Sequence, residues 1–133
     1  MIVTALLSWS CGKAKNESLP PEVSGTVTIA LSDHPSLQRA GNAVSLHNTP
    51  LDRGLIVACT EEGVWRAFDS WCTHQGCEVS VSAYGGLECP CHISRFTIEG
   101  VPATGPAPRP LVEYKTQLNG DSLLVLLDER TVR

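Results

Sequence analysis

Two short segments carry most of the side chains in this sequence that could do chemistry: Cys72-Thr73-His74-Gln75-Gly76-Cys77 and Cys89-Pro90-Cys91-His92-Ile93-Ser94. Each offers both a thiol and an imidazole, and fourteen residues separate His74 from Cys89. Thiolates and neutral imidazoles are ligands for soft and borderline metals, and ligands paired on two loops can converge on one centre from two β-hairpin tips. The pattern predicts a metal site. A set of two cysteines and two histidines also suits a structural zinc ion with tetrahedral closure. Against zinc stand the single residue between Cys72 and His74, fewer than the roughly two to four usual in zinc fingers, and two further cysteines, Cys77 and Cys91, which zinc leaves without a role.

Loops that hold a metal need rigid elements beneath them, and the rest of the chain supplies β-strands. Apolar and β-branched runs at Val23–Leu31, Ala43–Leu46, Gly54–Thr60, Val64–Phe68, Glu78–Ala83, Leu111–Leu118 and Ser122–Leu127 are short and bounded by turn residues. Eleven glycines and nine prolines punctuate them. Thr60-Glu61-Glu62-Gly63 and Asn119-Gly120-Asp121 read as hairpin turns, the second with the Asn-Gly pair that suits type I′ geometry, so consecutive strands should pair antiparallel. Nowhere does an apolar face recur at helical spacing over a full helix length, and residues 33–40 have room for one turn at most. The fold class is all-β.

At 133 residues and 14.3 kDa the chain has the size of one domain. Its formal charge of −4 comes without a cluster of Lys or Arg, which argues against a nucleic-acid partner. Met1–Trp9 is mostly apolar but far shorter than the roughly 20 residues that span a bilayer. With Ser10-Cys11-Gly12-Lys13 it reads as a bacterial lipoprotein signal in which Cys11 carries the lipid, although Leu7 lies four residues before Cys11 and no Lys or Arg precedes the run. Residues 13–21 (KAKNESLPP) are polar and end in two prolines, as a tether between an anchor and a folded head would be; a frayed terminus is the alternative. The expected organisation is a signal at 1–11, a linker at 12–22 and a folded domain at 23–130.

The motifs CTHQGC at 72–77 and CPCHIS at 89–94 resemble in full the two boxes of the Rieske iron–sulfur family, C-T-H-x-G-C and C-P-C-H-x-S. The likeness continues through Gly105-Pro106-Ala107-Pro108-Arg109-Pro110-Leu111, which is similar to the family's proline-rich third loop, and covers residues 23–128 or so. The resemblance implies an antiparallel β-sandwich with a small cluster-binding subdomain and one [2Fe–2S] cluster. Cys72 and Cys89 would hold one iron and His74 and His92 the other. Neutral imidazoles in place of two thiolates favour the extra electron on the histidine-bound iron and raise the potential above that of an all-cysteine cluster. By the same resemblance Cys77 and Cys91 form a disulfide between the cluster loops, which points to an oxidising compartment and to the family branch that oxidises quinols. Gly76, Gly100, Gly105 and Pro106 would supply backbone conformation and close packing.

In the family the residue at Ser94 donates a hydrogen bond to a bridging sulfide, and the residue at Phe96 is often a tyrosine donating to a cysteine sulfur. One donor present and one absent implies an intermediate potential. Exposed ring nitrogens on His74 or His92 would take up a proton on reduction, which suits quinol as donor. Gln75 stands where many quinol oxidisers have leucine, and Ile93 where they mostly have glycine, so the cluster tip is expected to differ and a soluble partner is an alternative.

The function expected is single-electron transfer by an exported protein on the periplasmic side of a bacterial membrane, held by a lipid anchor, rather than stand-alone catalysis. Quinol or cytochrome b would lie on one side and a c-type cytochrome on the other. The alternatives are the small subunit of a molybdenum or other oxidoreductase, bound to a large subunit, and a structural zinc module. Cys59 reads as a buried thiol without chemistry, Trp65 and Trp71 as core packing, and His34 and His47 as loop residues.

Overall fold

The computed structural model describes residues 18–133. Cys11 and the expected signal segment lie outside the described residues. Ten strands follow in order: β1 (Thr26–Ala30), β2 (Ala43–Leu46), β3 (Leu55–Glu61), β4 (Val64–Asp69), β5 (Ser80–Val81), β6 (Leu87–Cys89), β7 (Ser94–Phe96), β8 (Pro102–Thr104), β9 (Glu113–Asn119) and β10 (Ser122–Thr131). Residues 31–38 form two short 3-10 turns, Leu31–Asp33 and Pro35–Gln38, in place of a single turn. Among the described residues no helix is long and apolar enough to cross a membrane.

The strands make two antiparallel sheets, one ordered β1-β10-β9-β4-β3-β2 and one ordered β5-β6-β7-β8. Sequence-adjacent runs pair as hairpins at β2–β3, β3–β4 and β9–β10. The β9–β10 hairpin turns on Gly120 and Asp121, since Asn119 pairs with Ser122 as the last strand residue. Gly120 alone takes a positive φ of 60° there, whereas type I′ requires positive φ at both central residues, so the expected turn forms at the expected place with another geometry.

Strand β3 explains how the two sheets join. Its residues Leu55 to Cys59 are all fully buried, an apolar run without alternation that is unusual for an antiparallel strand with one wet face. Leu55 and Val57 point into a core shared with Leu37, Val112, Tyr114, Leu123, Val125 and Leu127. Ile56 and Ala58 point the other way, into a second core with Phe68, Val79, Leu87, Phe96 and Leu111. β4 repeats the division, with Ala67 in the first core and Phe68 in the second. The run is the wall between two apolar layers, and Cys72 and Cys89 are members of the second.

Candidate metal centre

Both boxes sit at strand ends on the four-stranded side. The chain leaves β4 through Asp69, whose Oδ1 accepts the Trp71 backbone N–H at 2.9 Å while its Oδ2 accepts the Tyr114 hydroxyl at 2.7 Å. Trp71 bridges to Glu78, and the Val79 N–H reaches the Ser70 carbonyl at 2.7 Å, so residues 72–77 are the tip of an irregular hairpin. The tip closes on itself through Cys72 N–H to the Cys77 carbonyl (2.9 Å) and Gly76 N–H to the Cys72 carbonyl (2.8 Å). Gly76 has a φ of 76°, and a Cβ there would meet the Trp71 ring at 2.7 Å, so this position needs glycine twice over.

The second box turns β6 into β7, with Cys89 paired to Ser94 across the turn. Ile93 takes a φ of 55°, the one positive value outside glycine among the described residues, in a region that disfavours β-branched side chains. The proline-rich loop packs directly behind it: a Cβ on Gly105 would meet the Ile93 carbonyl oxygen at 2.5 Å and Ser94 Cα at 2.6 Å. That loop is tied to both boxes, by the Ala107 N–H donating to Ser94 Oγ at 3.1 Å and by Thr73 Oγ1 donating to the Arg109 carbonyl at 2.7 Å.

Cys77 and Cys91 form the disulfide that the resemblance implied, with Cα atoms 6.3 Å apart. Their sulfurs and that of Cys89 all lie within 4.8 Å of one another, which sets the staple against a candidate ligand; in the bridge neither can serve as a thiolate. The Cys72 and Cys89 thiols are 1% and 2% exposed. Burial pushes the Cys89 thiol up to about 11, backbone N–H groups of Cys91 and His92 pull it down, and the Cys72 thiol beside it adds a further upward push. The His74 and His92 rings meet edge to face with centroids 4.8 Å apart; His74 is buried to 9% exposure and His92 is exposed. Two adjacent thiols on the dry side and two adjacent imidazoles, one of them toward water, form a donor set that fits a cluster with unlike irons.

Several residues of this site are unreadable in sequence. Asp69 two residues before Trp71 fits an Asx-type turn, a weak local signal. Thr73–Arg109 and the Arg53 guanidinium, 5.2 Å over the Trp71 ring with Nε donating to the Gly76 carbonyl at 2.8 Å, join positions far apart in the chain. Trp65 packs on the first core as expected and donates to the Leu37 carbonyl at 2.8 Å, whereas Trp71 belongs to neither core and lies half-buried against Gly76, Arg53 and Ser18. Cys59 is the expected buried thiol, with its Sγ donating to the Glu61 carbonyl at 3.1 Å. The exposed His47 pairs with Glu78.

A family model for the Rieske [2Fe-2S] domain matches residues 28–115, which include both boxes and the proline-rich loop. The chain belongs to the Rieske [2Fe–2S] domain family. Its cofactor is a [2Fe–2S] cluster. The chain is 40% identical over 76 residues to a carotenoid phi-ring synthase of Chlorobaculum tepidum, across 56% of this chain and 12% of that protein. It is 35% identical over 71 residues to the cytochrome b6-f complex iron-sulfur subunit of Chlorobaculum thiosulfatiphilum, across 53% and 39%. The matches thus cover well under half the length of these two relatives. Among solved structures it is similar to the cyanobacterial plasma membrane Rieske protein from Synechocystis PCC 6803, at 38% identity and a TM-score of 0.53, covering 59% of this chain and 81% of that one.

Proposed function

We propose that Cys72, Cys89, His74 and His92 hold the cluster, the cysteines on one iron and the histidines on the other, and that the protein carries single electrons. The observation that carries this reading is the pairing of two buried thiols with two touching imidazoles on loops stapled by a disulfide. When bound, the cluster accepts and releases one electron at a time. The chain's residues do the rest. Ile56, Phe68, Leu87, Phe96 and Leu111 exclude water behind the thiols, and His92, the exposed imidazole, holds or releases a proton at its free ring nitrogen as the electron arrives or leaves. Ser94 Oγ already accepts from Ala107, which leaves its hydroxyl hydrogen to donate toward the cluster side. Phe96 has no such hydrogen, so Phe96→Tyr is expected to raise the midpoint potential in protein-film voltammetry.

The donor in this reading is quinol and the acceptor a c-type cytochrome, with the protein exported and lipid-anchored through Cys11. Support comes from the disulfide, which fits an oxidising compartment, and from relatives named as cytochrome b6-f and b-c1 subunits. A second reading, the electron-transfer small subunit of a larger oxidoreductase, is favoured by the polar, exposed Gln75 and by Phe96 without a hydroxyl. A potentiometric titration at several pH values tests proton coupling. The expected result is a midpoint that falls as pH rises; a midpoint constant between about pH 6 and pH 10 contradicts it.

A further inference from the structure

The segment ahead of β1 is tied to the first cluster loop. The Ser18 N–H donates to the Thr73 carbonyl at 2.7 Å, and the Trp71 indole Nε1–H donates to Ser18 Oγ at 2.9 Å. These bonds land on the residues either side of Cys72. Beyond Ser18 the segment is built into the fold: Leu19 and Val23 pack on the first core, Pro20 is buried, and the Pro20 carbonyl accepts from Arg130 at 2.9 Å. Pro20 and Pro21 preset an extended backbone, so little freedom is lost when the segment docks.

We infer that residues 18–23 act as a strap and that Ser18 is a positioning residue for the cluster, fixing the peptide between Cys72 and His74. Thr73 is fully buried and clamped from two sides, its carbonyl by Ser18 and its hydroxyl by the Arg109 carbonyl of the proline-rich loop. Its peptide plane sets the direction in which the His74 side chain leaves the backbone. Without the strap, the tip keeps its internal bonds between Cys72, Gly76 and Cys77 but loses its fixed orientation on the Trp71 side.

The inference rests on the proposed ligand set, and its test separates the two. In the holoprotein, Ser18→Pro removes both the N–H and the hydroxyl, Ser18→Ala removes only the hydroxyl that accepts from the indole, and Ser18→Thr keeps both. Trp71→Phe removes the indole donor. Glu22→Gln, which touches Arg130 at 3.5 Å at the other end of the strap, is the control. Ser18→Pro should broaden the reduced-state EPR spectrum, shift the midpoint potential and speed cluster loss to a chelator at least about fivefold, since two hydrogen bonds are lost and one net bond alone is worth about that factor. Ser18→Ala and Trp71→Phe should give smaller and non-additive changes, and Ser18→Thr and Glu22→Gln should match the wild type. An unchanged spectrum and midpoint in Ser18→Pro overturn the strap, even with a lower melting temperature, and so do fully additive single variants. Absence of the mixed-ligand EPR signal from the wild type overturns the ligand set and the strap with it.

Discussion

Strands of four to ten residues build the six-stranded sheet, and its hairpins bury Leu55, Val57, Tyr114, Leu123 and Val125 in one continuous core. The four-stranded sheet is built of strands of two or three residues, too short to stand on pairing alone, and three loops are packed over it. Side-chain burial holds the first, whereas the second adds further ties to its own apolar core. The second depends on links between distant parts of the chain: the Cys77–Cys91 disulfide, Thr73 to Arg109, Ala107 to Ser94, and Gly105 pressed on the second box. β3 serves both, through alternate residues. A sheet held chiefly by burial thus stands beside a smaller one held by burial and cross-links together.

The contrast is broken most sharply at the proposed ligands. Cys89→Ala should abolish the reduced-state EPR signal while the β-sheet circular dichroism persists; loss of both together would mean that the large sheet depends on the cluster. Leu55→Ala acts from the other side, costing about 2–5 kcal/mol in denaturant unfolding of the whole domain while leaving the cluster spectrum of the folded fraction unaltered. The paired change Cys77→Ser with Cys91→Ser opens a 14-residue separation and should cost about 3 kcal/mol, read as faster hydrogen exchange in residues 72–94 rather than in β9 and β10. Equal acceleration in both sheets would show that the two regions unfold as one.

The smallest effect sits where the regions meet. Burial holds the Asp69 carboxyl above the usual carboxylate range, against the opposing pull of the Tyr114 hydroxyl and the Trp71 N–H. A carboxyl with a raised folded pKa binds its proton more tightly in the folded state. Its stabilisation is complete below the unfolded pKa and is lost as pH rises through the folded one. Melting temperatures of wild type and Asp69→Asn should therefore diverge in favour of the wild type as pH falls from neutral. A pH-independent difference would show that the folded and unfolded states bind the Asp69 proton equally and that burial does not raise it.

The same division governs what could be read in the sequence. β2, β3, β4, β9 and β10 are visible because each is at least four residues long and carries β-branched or apolar residues between turn signals, and β3 stands out as a continuous apolar run. β6, β7 and β8 were not separable: Leu87-Glu88-Cys89 and Ser94-Arg95-Phe96 alternate inward and outward, but over three residues, between glycines and prolines. The two boxes were legible because the chemistry is contiguous. Asp69 with Tyr114, Thr73 with Arg109 and Ser18 with Trp71 were not, because each pair is joined across 36 to 53 positions by the fold alone.

The most direct test of the ligand set is the EPR spectrum of the anaerobically purified protein before and after reduction with dithionite. The oxidised state is expected to be silent and one-electron reduction to give a rhombic signal whose average g lies below the free-electron value, as mixed cysteine and histidine ligation gives. A colourless protein that stays silent after reduction and holds stoichiometric zinc would contradict that ligand set.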